Sequence, residues 1–336
     1  MNANTDRTHM LKGGILTISL DFELYWGIRD HTSLANCSNK LLKVWDVIPE
    51  TLDLFKQYEI HATWATVGML FNESIASLKK SLPSSIPEYT DIQLSPYKYL
   101  QSLKDNDTLK KCHIADDLID QIIATNGQEL ATHTYSHYYC LEAGPKLHDF
   151  NADIQQAITI SSKKNVSVNS IVFPRNQYSE SHLNICKKNG LSCYRGNQKF
   201  FAYEASDGTG NSKFKRILRL LDAYINISGY NTYVPKKSNP KQMVNLPASF
   251  FLRPYSSRMR HFDWLRLHRI KVAMTNAAKH NKVFHLWWHP HNFSSDIANN
   301  IIFLTKIFEH YKYLNNRFNM TSLNMAEICQ GLSDDK

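Results

Sequence analysis

An α/β fold whose parallel sheet closes towards a barrel is what this 336-residue sequence predicts. Short apolar, β-branched runs alternate with longer stretches of helical spacing through most of the chain, and repeated βα units make parallel sheets. About seven or eight such units favour a closed barrel over an open sheet. The side chains with chemistry to offer each follow directly on one of the runs, and the carboxyl ends of strands are where βα barrels build active sites.

Residues 14–20, Gly-Ile-Leu-Thr-Ile-Ser-Leu, read as a buried strand whose hydrophobicity gives out at Asp21 and Glu23. A helix over 41–58 and a strand over 62–70 come next, then a helix over 116–125, a strand over 129–133 and a helix over 151–164. The alternation continues with a strand at 170–173, a helix at 179–189, strands at 191–195 and 243–250, a helix at 263–280 and a last strand at 283–288. Helices at 294–313 and 324–330 close the chain. Two segments break the pattern, 73–106 and 196–240, and both read as insertions in a single catalytic domain over 13–330, preceded by a flexible stretch at 1–12.

With 43% hydrophobic and 12% aromatic residues the chain can bury a large core. The first dozen residues lack the apolar centre of a secretory signal, and no uninterrupted apolar stretch is long enough to span a bilayer, so a soluble cytoplasmic protein is expected. Six dispersed cysteines without a Cys-x-x-Cys pair indicate neither a zinc ribbon nor a disulfide framework and are expected to be free thiols. A net charge of +9 suggests an anionic partner. The cations concentrate in 213–219 and 258–271, interleaved with apolar residues in a way that suits a membrane surface or a phosphate-bearing substrate, with helices solvated on one face as the alternative. Arg266 and Arg269 are expected to hold such an anionic carrier. No nucleic-acid-binding module is recognisable.

Asp21-Phe22-Glu23 puts two carboxylates on one face of a strand end, because residues i and i+2 share a face. His133-Thr-Tyr-Ser-His137 has the spacing that brings two imidazoles to one side of a helical turn. A carboxylate and two histidines leave coordination positions open, as catalytic metal sites do. His61 and His285 read as structural, and His261, His268 and His280 as solvent-facing.

The series Ser19-Leu-Asp21-Phe-Glu23, Ala62-Thr-Trp-Ala-Thr-Val-Gly68, Glu129-Leu-Ala-Thr-His133-Thr-Tyr-Ser-His137, Phe173-Pro-Arg175 and Leu286-Trp-Trp-His289-Pro resembles the polysaccharide deacetylase family, the NodB-homology carbohydrate esterases, over residues 14–293. The resemblance implies a distorted (β/α)7 TIM-like barrel, one divalent metal ion and hydrolysis of an N-acyl group on an amino sugar. It implies Asp21 as general base, Glu23, His133 and His137 as metal ligands, Arg175 as the residue orienting the base and His289 as general acid. Zinc suits two histidines and a carboxylate, as do cobalt, nickel and iron. Tyr178 lies in the loop expected to stabilise the oxyanion, and Trp287 and Trp288 offer aromatic faces to a sugar or to the core.

The chain also departs from the family pattern. A phenylalanine separates the two acids of the first motif, so the roles of Asp21 and Glu23 are interchangeable. Pro174 precedes Arg175 where the family usually has arginine first, which makes Arg195 a rival orienting residue. Asp222 is a candidate partner of the catalytic histidine, and His291 competes with His289. Two readings of function follow: an N-deacetylase or deformylase acting on a nucleotide- or lipid-linked amino sugar in surface-polysaccharide synthesis, or a catalytically silent sugar-binding or regulatory protein on the same barrel.

Overall fold

The computed structural model describes residues 13–104, 107–204, 213–236, 239 and 242–334. The expected flexible stretch at 1–12 and parts of both insertions lie outside them.

Among the described residues the strands pair with one another in parallel: β1 (Ile15–Phe22), β2 (Ala62–Thr66), β3 (Gln128–Thr132), β4 (Ser170–Ile171), β5 (Cys193–Tyr194), β6 (Val244–Asn245), β7 (Phe250–Phe251), β8 (Val283–Trp288) and β9 (Thr321–Ser322). The order is β6-β5-β4-β3-β2-β1-β8-β7, with β9 added on β1. β6 and β7 were expected as one strand over 243–250. Pro247 supplies no N–H and interrupts it, so β6 stays on β5 while β7 moves across to β8. Backbone bonds from Ala248 N–H to the Gly196 carbonyl and from Ser249 N–H to the His285 carbonyl bridge the two neighbours in between. Counted as one staggered stave, this segment completes a curled wall of seven parallel staves, the distorted barrel the sequence implied.

Several boundaries differ from expectation. The strand from Ala62 stops at Thr66 and passes into a short 3-10 turn at Gly68–Phe71. The helix expected over 41–58 is two helices, Leu34–Leu42 and Val44–Tyr58, separated at Lys43. The insertion at 73–106 holds short helices at Ile75–Lys80 and Tyr97–Ser102. β9 was not expected; two residues are too few to show a period of two.

Along β1 the even residues Leu16, Ile18, Leu20 and Phe22 pack into the layer between sheet and helices, where Trp64, Phe55 and Trp288 also sit. The odd residues face the barrel interior. Its amino-terminal end is plugged by apolar side chains, Ile15, Val172, Val244, Val283 and, from the last helix (Met325–Asp334), Met325 and Ile328. Glu129 caps this plug, accepting from Thr63 Oγ1 at 2.7 Å, Ser170 Oγ at 2.5 Å and Ala326 N–H at 3.0 Å. The polar end of the interior is the carboxyl end, as a βα barrel requires.

Candidate active site

Asp21 ends the inward face of β1 and is buried. Its carboxylate receives both terminal nitrogens of Arg195, at 2.6 and 2.8 Å, in a bidentate clamp. Arg195 follows β5, is itself buried, lies over the Trp287 ring at 4.1 Å, and also donates to Ser19 Oγ and Asn176 Oδ1, each at 3.1 Å. Burial would raise the Asp21 pKa, but the Arg195 guanidinium outweighs it and the group stays below its ordinary value.

Behind the clamp stands His285. Its Nδ1 lies 3.2 Å from the Leu246 carbonyl, which can only accept, so Nδ1 carries the proton. Nε2, 2.9 Å from Ser19 Oγ, therefore accepts the Ser19 hydroxyl, which leaves the serine lone pairs for Arg195. His285 was read as structural; the signal that it belongs here is the period of two along β8, which places His285, Trp287 and His289 on one face.

Glu23 follows β1, with His137 Nε2 at 3.1 Å and His133 Nε2 at 3.4 Å from its Oε2. One ligand-type atom from each of the three lies within 4.8 Å of the others, and all three residues are buried. Burial opposes the Glu23 charge, yet the imidazoles of His289, His133 and His137 hold its pKa well below the ordinary range. Burial conversely lowers the His137 pKa, which favours the neutral imidazole a metal ion needs. His133 Nδ1 lies 2.8 Å from the Val172 carbonyl, which turns the Nε2 lone pair towards Glu23. Space for the Glu23 carboxyl exists because Gly27 faces it: a Cβ there would lie 1.9 Å from Cδ. Two imidazoles and one carboxylate, with the His133 tautomer fixed by the Val172 carbonyl, fit a divalent ion of the zinc type.

The histidine motif does not form the expected helical turn. Thr134 and His137 have positive φ, 62° and 58°, and the segment is an irregular loop after β3. Buried Asp153 holds it from the helix Leu147–Ser162, accepting Tyr135 N–H at 2.6 Å, Ser136 N–H at 3.1 Å and the Ser136 hydroxyl. Among the described residues, five of the ten non-glycine positions with positive φ, Leu24, Thr134, His137, Arg175 and Asn176, lie in loops and short turns around the site.

His289 spans the two carboxylates, with Nε2 3.8 Å from Asp21 Oδ2 and 3.6 Å from Glu23 Oε1. His291 is buried 4.0 Å from Glu23 Oε1, and burial together with the neighbouring His289 pushes its pKa down to about 3. Trp287, half-buried, packs edge-on to His289 at 5.7 Å.

Other expected residues lie elsewhere. Arg175 does not reach Asp21; it pairs with Asp30 and, at 2.9 Å, with Glu142, above the Tyr139 ring. Trp288 points out of the barrel and stacks on Phe293, because consecutive strand residues face opposite ways. Tyr178 packs on Phe173 and Tyr194. Asp222 is buried against Arg269 at 2.9 Å rather than beside His289. Arg266 and Arg269, expected to meet an anionic carrier, are likewise buried; Arg266 donates to the Arg253 and Pro254 carbonyls.

Comparison with known proteins bears on the family and the fold. Residues 43–194, the segment that carries His133 and His137, match the model of the polysaccharide deacetylase family. No curated protein matches the chain. The fold is similar to that of a protein described as a polysaccharide deacetylase from Mycobacterium smegmatis, at TM-score 0.60 and 9% identity over 96% of this chain and 91% of that one. A protein described in the same way from Pseudomonas aeruginosa PAO1 follows at TM-score 0.56 and 9% identity, over 98% and 94%. Puue allantoinase gives TM-score 0.53 at 10% identity over 96% and 92%, so one fold carries more than one reaction. Among the described residues no helix is long and apolar enough to cross a membrane.

Proposed function

We propose that this protein is a metal-dependent amide hydrolase that removes an N-acetyl or N-formyl group from an amino sugar, with residues 13–330 acting as one catalytic unit. The observation that carries the reading is the pairing of an arginine-clamped Asp21 with the Glu23, His133 and His137 cluster, spanned by His289. Those three residues would hold the ion, most readily zinc. A divalent ion bound there supplies Lewis acidity towards the acyl oxygen and makes water a stronger nucleophile at neutral pH.

Asp21, ionised and held by Arg195, takes the proton of the attacking water. The bidentate clamp restricts Asp21 to one orientation, so the accepting oxygen is set before substrate arrives. His289, reachable from both carboxylates, delivers a proton to the departing amine. Trp287 gives the sugar ring an apolar wall next to His289. In this reading Arg195 takes the orienting role first considered for Arg175.

The substrate is a nucleotide- or lipid-linked intermediate of surface-polysaccharide synthesis, a reading supported by the excess of 39 basic over 30 acidic residues. A cytoplasmic place of action is supported by six cysteines that are all free.

Elemental analysis and turnover of three variants test the assignment. Asp21→Asn should keep its ion and lose turnover by a factor of about a hundred or more, because an amide cannot accept the water's proton. Glu23→Ala and His133→Ala should lose the ion. Equal metal in wild type and His133→Ala would sink the metal site. An active Asp21→Asn would remove Asp21 as the base, and an inactive wild type would favour the silent sugar-binding reading.

A further inference from the structure

Eight of the seventeen large hydrophobic side chains that stand exposed among the described residues fall between Phe214 and Val234. Half of these eight belong to one helix, Lys213–Asp222. Phe214, Ile217 and Leu221 recur at i, i+3 and i+7, so they share a face, and they are 63%, 56% and 44% exposed. Lys215 and Arg219 lie on the other side and are half-buried, with Arg219 donating to the Ala202 carbonyl at 3.2 Å. This helix turns an apolar face to solvent and sets Lys215 and Arg219 against the protein, the reverse of an ordinary surface helix.

The seat of the helix is built. Asp222 at its end is buried and accepts from Arg269 at 2.9 Å, from the Tyr203 hydroxyl at 2.9 Å and from the Ile227 and Ser228 N–H groups at 3.0 and 2.8 Å. Arg269 belongs to the helix Asp263–Lys279, so the two helices are tied together. The second helix opens with Phe262 and Trp264, 49% and 64% exposed.

Charge selects the partner. The acids of these two helices, Asp222 and Asp263, are taken up internally by Arg269 and Arg266, whereas Lys213, Arg216, Arg258 and Arg260 remain exposed. An outward apolar stripe accompanied by exposed cations and an exposed tryptophan matches the interface of a bilayer containing anionic lipid. A second copy of the chain matches poorly, because a symmetric contact would bring the same cations together.

We propose that the helix Lys213–Asp222, together with Trp264 on the helix tied to it, docks this protein on an anionic membrane surface, lying in the interface plane without crossing it. The proposal is independent of the deacetylase reading and is tested without sugar substrate. The full chain is sedimented with vesicles of phosphatidylcholine alone and of equal parts phosphatidylcholine and phosphatidylglycerol. Wild type should pellet with the anionic vesicles and progressively less as salt rises. Ile217→Glu with Leu221→Glu should bind at least about tenfold more weakly, since two apolar anchors become charges. Both positions are exposed, so an unchanged melting temperature shows that the variant is folded. Failure of wild type to pellet, equal pelleting with neutral vesicles, or equal pelleting of the folded variant would overturn the proposal. So would a dimer in sedimentation velocity that the same variant abolishes.

Discussion

A methyl group on Gly27 would lie 1.9 Å from Cδ and 2.1 Å from Oε1 of Glu23, a separation no pair of heavy atoms tolerates. The obstacle is the end of a side chain rather than backbone, so the fold can yield by swinging Glu23 aside. Gly27→Ala is therefore expected to change stability by less than about 1 kcal/mol while most of the bound metal is lost. Thermal melting and elemental analysis of the same sample check both halves, and an alanine variant with full metal would show that Glu23 is not confined in this way. Arg195 is a comparable case. Lysine in its place could pair with Asp21 but could not make two parallel bonds while holding Ser19 and Asn176.

At the scale of elements, the loop after β3 is held from outside itself. Asp153 accepts two backbone N–H groups and a hydroxyl that have no water to turn to. Asp153→Ala should cost about 3 kcal/mol or more, since each orphaned donor costs about 1–3 kcal/mol, and should weaken metal binding through His137. Asp153→Asn keeps one accepting oxygen and should cost less; denaturant unfolding with a metal titration compares the two. This element also marks how far the sequence could be read. His133 and His137 were legible as a pair because their spacing serves a loop as well as a helix, but the positive φ at Thr134 and His137 is imposed by Asp153, about twenty residues on, and has no local signal. β1, β2 and β8 were legible because strands buried on both faces read as continuous apolar runs. Arg195 was harder to rank than Arg175, because both follow strands and only the curl of the wall decides which one reaches Asp21. Pro247 was visible inside its predicted strand and was the available sign that the strand divides there.

For the molecule as a whole, pH should act through buried histidine. His285 is fully buried and its pKa is pushed down to about 3, first by burial and then by the nearby Arg195 charge. The unfolded chain protonates this side chain near 6.5 while the folded chain does not, so below that pH the unfolded state binds more protons. Stability is then complete above about pH 6.5 and falls as pH drops towards 3, by up to about 5 kcal/mol from this group alone. Unfolding curves of wild type and His285→Gln across that range should converge at low pH. Parallel curves would mean that the acid sensitivity lies elsewhere.

The unequal lengths of the staves have a consequence for how the enzyme would age on heating. β1, with eight residues, is paired on both sides and carries Asp21, with Glu23 next after it, whereas Arg195 follows a two-residue stave beside the place where Pro247 divides the wall. Amide protons of β1 should be the last to exchange into heavy water, and those around β5 and β6 among the first. Warming would then loosen the guanidinium grip on Asp21 while the three ion ligands are still in place. On the proposed reading the protein should fall silent with its ion still aboard and recover on cooling, so that retained metal would be a poor gauge of remaining activity.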